Sequence, residues 1–298
     1  MSDLLAADFV RLMKSQIYRG ILIFCVECLI FEVVFGYFEG NLDKGYMDSL
    51  LNTNFIVFGI LLSIFIGLYI GSEYSDGTMR NKLISGNSRT SIYVSNFIVT
   101  LIGGTIIQAL NFVVLSIMSA AIFGTYAPIA ITSETNDFLV ANSKMIMKQR
   151  ILVIAEKQVI GFYIILVYTA IFVLITMLIC SRSISVAAVM AAAIVIFAAG
   201  MTVSYAVSAY APEEENELGQ IVYAYPEGYE FGSVKKKITG TRLTVYLFLD
   251  EFLPSSQAQN LTKKSVPKNS AKYLIYDSGI AALATIAGIN LFNKKDLK

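Results

Sequence analysis

Two glutamates lie inside the first long apolar stretch of the sequence, Gly20 to Phe38. Glu27 falls near the middle of this stretch, and Glu32 lies about 7.5 Å further along a helix that rises ~1.5 Å per residue. If the stretch crosses a membrane, a carboxylate at its centre costs about 2.5 to 3.5 kcal/mol, and such residues usually face a bundle interior, a water-filled cavity or a partner. The two glutamates are therefore the first candidates for a functional role.

Three roles stay open for Glu27. It can be a structural carboxyl bonded to Gln108 or Asn111 of a later apolar stretch, an acid on the path of a cationic substrate, or a group that carries a coupling proton. Glu32 lies nearer the end of its stretch, which favours a structural role. Phe31 suits an amphipathic cargo, although most aromatic residues in such stretches serve packing. We take Glu27, Glu32 and Phe31 as the candidate substrate-path residues.

Other residues that could do chemistry are scarce. Histidine is absent, and the three cysteines, Cys25, Cys28 and Cys180, lie in or beside apolar runs. Without histidine the chain lacks the commonest general base and the usual zinc ligand, and a thiol in an apolar run behaves as a small hydrophobe. The sequence therefore predicts no catalytic residue, no metal site and no cofactor in this chain, which would not be an enzyme.

The composition is typical of a protein whose apolar residues face lipid. Hydrophobic residues make up 56% of the 298 residues and charged residues 15%, against about 45–50% and about 25% in soluble domains. The balance of 23 basic and 22 acidic residues excludes the basic footprint of a nucleic-acid-binding protein. We expect an all-α polytopic membrane protein with one domain over residues 1–298.

Six stretches meet or approach the ~20 residues that a helix needs to cross a bilayer. They are Gly20 to Phe38, Leu50 to Ile70, Ile92 to Phe123, Val159 to Cys180, Ile184 to Tyr210 and Tyr273 to Phe292. The third is longer than a bilayer requires, so we expect part of it to project beyond the membrane or to tilt. Six spans place both termini on the same side.

The distribution of lysine and arginine indicates which side that is. If both termini are cytoplasmic, the inner segments are 1–19, 73–91, 181–183 and 293–298, which are short but hold ten of the 23 basic residues. Basic residues favour the cytoplasmic side when they lie in short loops. The predicted location is therefore the cell membrane, with several spans and with both termini in the cytoplasm.

Three segments outside the spans have a predicted structure. Residues 1–19 form an amphipathic helix, either at the membrane interface, with Arg11 meeting lipid headgroups, or packed on the rest of the domain. Residues 124–158 are external and end in a helix that continues into the fourth span. Residues 211–271 are also external, with a first half that favours a hairpin and an apolar second half that can enter the outer leaflet.

The loop between the second and third spans carries the most specific pattern, EYSDGTMRNKLISGNSRTS. We predict a short cytoplasmic helix, capped by Ser75 or Asp76 and ended by Gly86 in the left-handed conformation. Met79 and Leu83, four residues apart, would form a small apolar knob. An amphipathic helix of this kind suits a groove of a cytoplasmic partner, whereas a solvated turn would explain the charges alone.

Nine positions of this loop combine charged, small and apolar residues: Glu73, Gly77, Thr78, Arg80, Asn81, Leu83, Gly86, Ser88 and Arg89. The pattern resembles the first intracellular loop of type 2 ABC transporter permeases, the ABC-2 family. The basic amino-terminal helix, the six spans, the segment Leu253 to Ala258 before the last span and the ending Phe292 to Leu297 are also similar to bacterial members. The resemblance extends over the whole chain, but only the loop and these two short segments are specific.

The resemblance implies a permease half that exports its cargo and pairs with a second copy or with a similar permease. A separate ABC ATPase subunit would bind ATP and Mg and drive it through a coupling helix. The implied coupling residues are Glu73, Gly77, Thr78, Met79, Arg80, Leu83 and Arg89. The sequence contains no G-x-x-x-x-G-K-[S/T] phosphate loop of its own, which fits the need for a partner. Bacterial relatives of this size make peptides, toxins or antimicrobials the expected cargo.

Two other functions stay open. A secondary transporter could use Glu27 or Glu32 to carry the coupling proton. A sensor or immunity subunit could bind an external peptide without moving it. Both would be membrane proteins in contact with lipid, so the apolar composition alone does not separate them from an exporter.

Overall fold

The computed structural model describes residues 1–40, 44–123, 143–210, 214–215, 221–222, 241–261 and 270–295. The helices are α1 (Ser2–Lys14), α2 (Gln16–Phe38), α3 (Lys44–Ser75), α4 (Thr78–Ile84), α5 (Arg89–Phe123), α6 (Ser143–Leu178), α7 (Arg182–Tyr210), α8 (Thr241–Phe252), α9 (Pro254–Asn260) and α10 (Ser270–Lys294). Two short strands, β1 (Glu214–Glu215) and β2 (Ile221–Val222), pair antiparallel. The fold is all-α apart from this pair.

The six predicted spans are confirmed as helices long and apolar enough to cross a membrane. They comprise α2, the second part of α3, most of α5, α6 and α7, and the whole of α10. Helix α5 has 35 residues, or about 52 Å at ~1.5 Å per residue, which exceeds a ~30 Å bilayer core as expected. The chain is therefore a multi-pass membrane protein.

The centre of the bundle is formed by α3, α5 and α6. Phe58, Leu62 and Phe65 of α3 are fully buried there. A β-carbon at Gly104 of α5 would lie 2.9 Å from the Leu62 side chain. The glycine therefore lets α3 and α5 approach closely, as small residues do in membrane helix pairs.

Helix α1 divides its apolar residues between two surfaces. Leu4, Asp8 and Leu12 are buried against the bundle, whereas Phe9 and Met13 are exposed. Of the two predicted arrangements of residues 1–19, packing on the domain is found for α1. A position at the membrane interface stays a prediction. The burial of Asp8 was not expected.

Helices α8 and α9 form a hairpin that enters the bundle from the end opposite α4. Ser255 donates to the main-chain oxygen of Ile196 at 2.6 Å, and Ser256 to that of Gly200 at 3.2 Å. Both acceptors lie near the middle of α7, so the turn reaches about half of the way along this span. The prediction that the apolar second half of residues 211–271 enters the outer leaflet is consistent with this depth.

The other predictions for the connecting segments are met in part. Helix α6 begins at Ser143 and continues without a break into the fourth span, as predicted. The pairing of Glu214 with Val222 and of Glu215 with Ile221 is a small hairpin in the expected place. Residues 124–142, 216–220, 223–240 and 262–269 lie outside the described residues.

The carboxyl-terminal end of α10 is attached to the start of α5. The Arg89 guanidinium donates to the main-chain oxygens of Phe292, at 3.2 Å, and of Lys295. The Lys295 amine donates to the main-chain oxygen of Met177 at the end of α6, at 3.0 Å. The last carbonyls of a helix lack helical partners, so cationic side chains stabilise them. These contacts place the end of α10 at the same end of the bundle as α4.

We expect Arg89→Gln to loosen this end of α10 without unfolding the bundle. Loss of a charged donor costs roughly 1.5 to 3 kcal/mol where the acceptors stay buried, and these acceptors are only partly buried. Hydrogen exchange followed by mass spectrometry should show faster exchange near residues 288–295. The exposed Arg80→Gln serves as the control, and equal exchange in both variants would contradict the role of Arg89.

Candidate functional site

Helix α4 is bounded by two glycines with a left-handed backbone. Gly77 has φ 71° and Gly86 has φ 88°, a region that glycine enters without steric cost. The predicted role of Gly86 is confirmed, but the predicted side-chain cap is wrong, since Gly77 occupies the capping position and no side chain bonds there. The left-handed backbone of Gly77 starts α4 without a side-chain cap.

The predicted apolar knob of α4 faces the protein itself. Met79 is 2% exposed, and Leu83 is partly buried against the same core. The apolar residue that α4 presents to solvent is Ile84, which is 73% exposed. Arg80 and Asn81 are exposed beside it, while Gly77 and Thr78 are half-buried. A partner would therefore meet Ile84 rather than the Met79 side chain.

Six polar side chains from four helices form a buried group that we call the charge cluster. Its members are Asp8 and Arg11 of α1, Glu73 of α3, Lys82 of α4, and Ser95 and Asn96 of α5. Two carboxylates and two cationic groups make it electrically balanced. The cluster thus joins α1, α3, α4 and α5 at this end of the bundle.

Glu73 is the centre of the charge cluster and is fully buried. Arg11 Nη2 and Lys82 Nζ both donate to its Oε1, the lysine at 2.6 Å. Asn96 Nδ2 donates to its Oε2 at 3.0 Å. Lys82 Nζ also lies 2.7 Å from Asp8 Oδ1. A single lysine of α4 is therefore fixed to both α1 and α3.

Asp8 is held from several directions as well. Ser95 Oγ donates to its Oδ2 at 2.7 Å, and Tyr69 Oη donates to its main-chain oxygen at 2.9 Å. Arg11 Nε donates to Tyr69 Oη at 3.3 Å, with its guanidinium 4.5 Å from the centre of the Tyr69 ring. The spacing explains the arrangement, since Tyr69 and Glu73 are four residues apart and share a face of α3.

The neighbouring groups keep Arg11 charged. Burial by itself lowers the pKa of Arg11, but the Glu73 carboxylate, Tyr69 and Asp8 outweigh burial and raise the pKa above its ordinary value. Removal of one partner from such a buried pair leaves an uncompensated charge, which costs about 3 to 5 kcal/mol. The cluster therefore links α1, α3, α4 and α5 through contacts that are costly to break.

Sequence reasoning identified Glu73 but missed most of its partners. Arg11 was expected to meet lipid headgroups, and this is a correction: it bonds to Glu73 instead. Lys82 was regarded as a flank of the apolar knob. A signal was present in α1, where Asp8 lies four residues from both Leu4 and Leu12, on the face that packs inward. Arg89, a predicted coupling residue, donates to the main chain at the end of α10.

The predicted substrate-path residues lie on α2 and not in the interior of this single chain. Glu27 and Phe31 are exposed, and Glu32 is half-buried. Neither Gln108 nor Asn111 forms a hydrogen bond with Glu27, which borders a shallow groove between α2 and α5. The hydrogen bond to Gln108 or Asn111 that a structural role for Glu27 would use is therefore absent. Because Glu27 is exposed, this face of α2 is open to another molecule.

Among the residues that the structure describes, no three histidine, cysteine, aspartate or glutamate side chains come close enough to hold a metal ion. No protein-family model matches this chain, and no curated protein is significantly similar to it. Six apolar helices, with a polar cluster that ties the α4 loop to them, fit a membrane transporter subunit.

Proposed function

We propose that this chain is the membrane subunit of an ATP-driven ABC exporter of the ABC-2 type, with α4 as the helix on which a separate ATPase subunit docks. The observation that carries this proposal is the attachment of α4 to the spans through Lys82. The α4 end of the bundle, with both termini, is then cytoplasmic, and the location is the cell membrane. The chain performs no covalent chemistry, and the partner binds the ATP and Mg.

The docking surface in this proposal is the exposed side of α4. Ile84 supplies an apolar contact, and Arg80 and Asn81 supply charge and hydrogen bonds around it. Interface hot spots commonly combine an apolar anchor with a polar rim that excludes water. The buried side of α4 would meanwhile keep its contacts with the bundle through Met79 and Lys82.

The charge cluster gives this surface a mechanical connection to the spans. Movement of the ATPase would displace α4, and Lys82 would carry the displacement to Glu73 of α3 and Asp8 of α1. Separation of these buried charges costs more than their joint movement, so α3 and α1 follow. The glycines at both ends of α4 absorb the change in backbone angle, as hinge residues do.

The exposed face of α2 supports pairing with a second permease copy. Glu27 lies near mid-span with no hydrogen bond from Gln108 or Asn111, and a carboxylate there is unfavourable against lipid. A second copy, or a similar permease, over this face would remove Glu27 from lipid and enclose a path between two subunits. Glu27, Phe31 and Glu32 would then line a route for amphipathic cargo such as a peptide, toxin or antimicrobial.

We expect Ile84→Asp to weaken association with the ATPase strongly while the permease still folds. Position 84 is 73% exposed, so the substitution leaves the core intact, whereas Leu83→Asp would disturb packing and docking together. Loss of an interface anchor of about 2 kcal/mol lowers affinity roughly thirtyfold. The measurement is mild-detergent purification of the tagged protein from native membranes, with mass spectrometry and an ATPase assay on the complex.

The control is Ser2→Asp, which places the same charge at an exposed position of α1. It should retain a stoichiometric ATPase with vanadate-sensitive hydrolysis. Recovery of the same ATPase with Ile84→Asp would contradict the docking assignment. Recovery of the unaltered chain alone, with transport that depends on the proton gradient, would favour a secondary transporter that uses Glu27 or Glu32. Binding of a peptide without transport in sealed vesicles would favour a sensor or immunity subunit.

A further inference from the structure

A second buried polar group lies at the other end of the bundle, where the α8–α9 hairpin meets α10. We call it the oxygen cluster and define it by four side chains: Asp250 of α8, Gln257 and Asn260 of α9, and Asp277 of α10. All four are at least nine-tenths buried. Asp277 lies seven residues into the last span, about 10 Å along the helix at ~1.5 Å per residue.

The amide nitrogens of the oxygen cluster point at its carboxylates. Asn260 Nδ2 donates to Asp250 Oδ2 at 2.8 Å, and also to Tyr273 Oη at 3.2 Å. Gln257 Nε2 donates to Asp277 Oδ1 at 3.1 Å. Each amide nitrogen donates to a carboxylate, and these bonds fix which end of each carboxamide is the nitrogen and which is the oxygen.

The remaining polar atoms are all acceptors. Asp250 Oδ1, Asp277 Oδ2, Gln257 Oε1 and Asn260 Oδ1 are buried without a hydrogen-bond partner. On the rim of the cluster, Lys272 Nζ lies 3.2 Å from Glu251 Oε2. Each carboxylate therefore has one oxygen that accepts a hydrogen bond and one that does not. Four buried oxygens without a donor are unfavourable, because a buried polar group costs free energy unless it is paired.

We propose that the oxygen cluster binds a hard divalent cation, for which calcium is the test ion. Carboxylate and amide oxygens are the ligands that calcium prefers, and it tolerates irregular sets of six to eight. Two aspartates match the charge of a divalent ion. The sequence analysis predicted no metal site because it considered only histidine and cysteine as ligands. In the proposed site, half of the ligand side chains are the amides Gln257 and Asn260 of α9.

The position of the cluster gives the bound ion a structural consequence. Asp277 belongs to a span, whereas Gln257 and Asn260 belong to the inserted helix of the hairpin. A cation between their oxygens would fasten the hairpin to α10, at the end of the bundle opposite the charge cluster. Removal of the ion would leave like charges and unpaired oxygens that favour separation.

The test is direct calcium binding to the full-length purified protein in detergent, after chelator treatment, by isothermal titration and by thermal unfolding. We expect saturable binding with a Kd of about 10⁻⁴ to 10⁻³ M, as in exposed calcium modules, and a rise in Tm that follows the same titration. Asp250→Asn and Asp277→Asn should each weaken binding at least roughly tenfold, since each removes one unit of ligand charge. Sodium at equal ionic strength should not reproduce the rise.

The matched control is Glu251→Gln, which removes a carboxylate adjacent to Asp250 that lies on the rim. This variant should bind calcium as the unaltered protein does. Gel filtration and circular dichroism must show that each variant is folded, and the conservative Asp→Asn changes keep the side-chain volume. Absence of saturable binding, unchanged binding in the Asp250→Asn/Asp277→Asn double variant, stabilisation by sodium but not calcium, or a Tm that responds to pH alone would overturn the proposal.

Discussion

Glu73→Ala is expected to destabilise the protein by about 3 to 5 kcal/mol, because it leaves the buried Lys82 and the half-buried Arg11 with too little negative charge. Glu73 is fully buried, and three side chains donate to it. Thermal unfolding of the purified protein in detergent measures the loss. If the proposed function is right, ATP-driven transport falls with it, since α4 loses its attachment to α3.

A compensating variant separates charge balance from simple loss of packing. Glu73→Gln together with Lys82→Met removes one charge of each sign and leaves Asp8 and Arg11 as a balanced pair. Its loss of stability should be clearly smaller than the sum of the two single changes, as expected for residues in one network. Additive losses would show that Glu73 and Lys82 are not coupled, and the cluster could not then transmit force.

Gly200→Ala is expected to displace the α8–α9 hairpin. A β-carbon at position 200 would lie 2.0 Å from Ser255 Oγ and 2.8 Å from the Ser255 main-chain carbonyl carbon. The serine rotamer can change, but the backbone of the inserted turn cannot move without loss of its bonds to α7. Overpacking of this kind costs about 1 to 3 kcal/mol, which should lower the Tm.

The displacement itself can be measured by cysteine labelling. Ala258 of α9 is fully buried, so Ala258→Cys, in a background without the three native cysteines, should react with a maleimide only when the hairpin leaves its site. Gly279→Ala is the matched control, because a β-carbon there meets no atom within 4 Å and alanine favours the helix by about 1 kcal/mol. Equal labelling in the two glycine variants would contradict the close contact with α7.

Some features of this fold were predictable because they depend on short segments. The sequence predicted six spans, the left-handed Gly86 and the continuous helix into the fourth span, and each is found. The inserted hairpin was expected only in outline, since Leu243 to Leu253 is apolar but Ser255 and Ser256 need the carbonyls of a distant span. The Met79 and Leu83 pair was recognised correctly as apolar, yet its direction was not predictable, because α4 has polar residues on more than one side.

The sequence by itself determined that the chain has six spans and that ten of its 23 basic residues lie in four short segments outside them. Both follow from the cost of polar groups in lipid, which each segment meets independently of the others. Only the tertiary structure decided which charges meet. Asp8, Glu73, Lys82 and Asn96 come from four helices, and Asp250 and Asp277 from two others, so their contacts depend on how the spans pack. Buried polar groups must find partners, and here the partners are far apart in the chain.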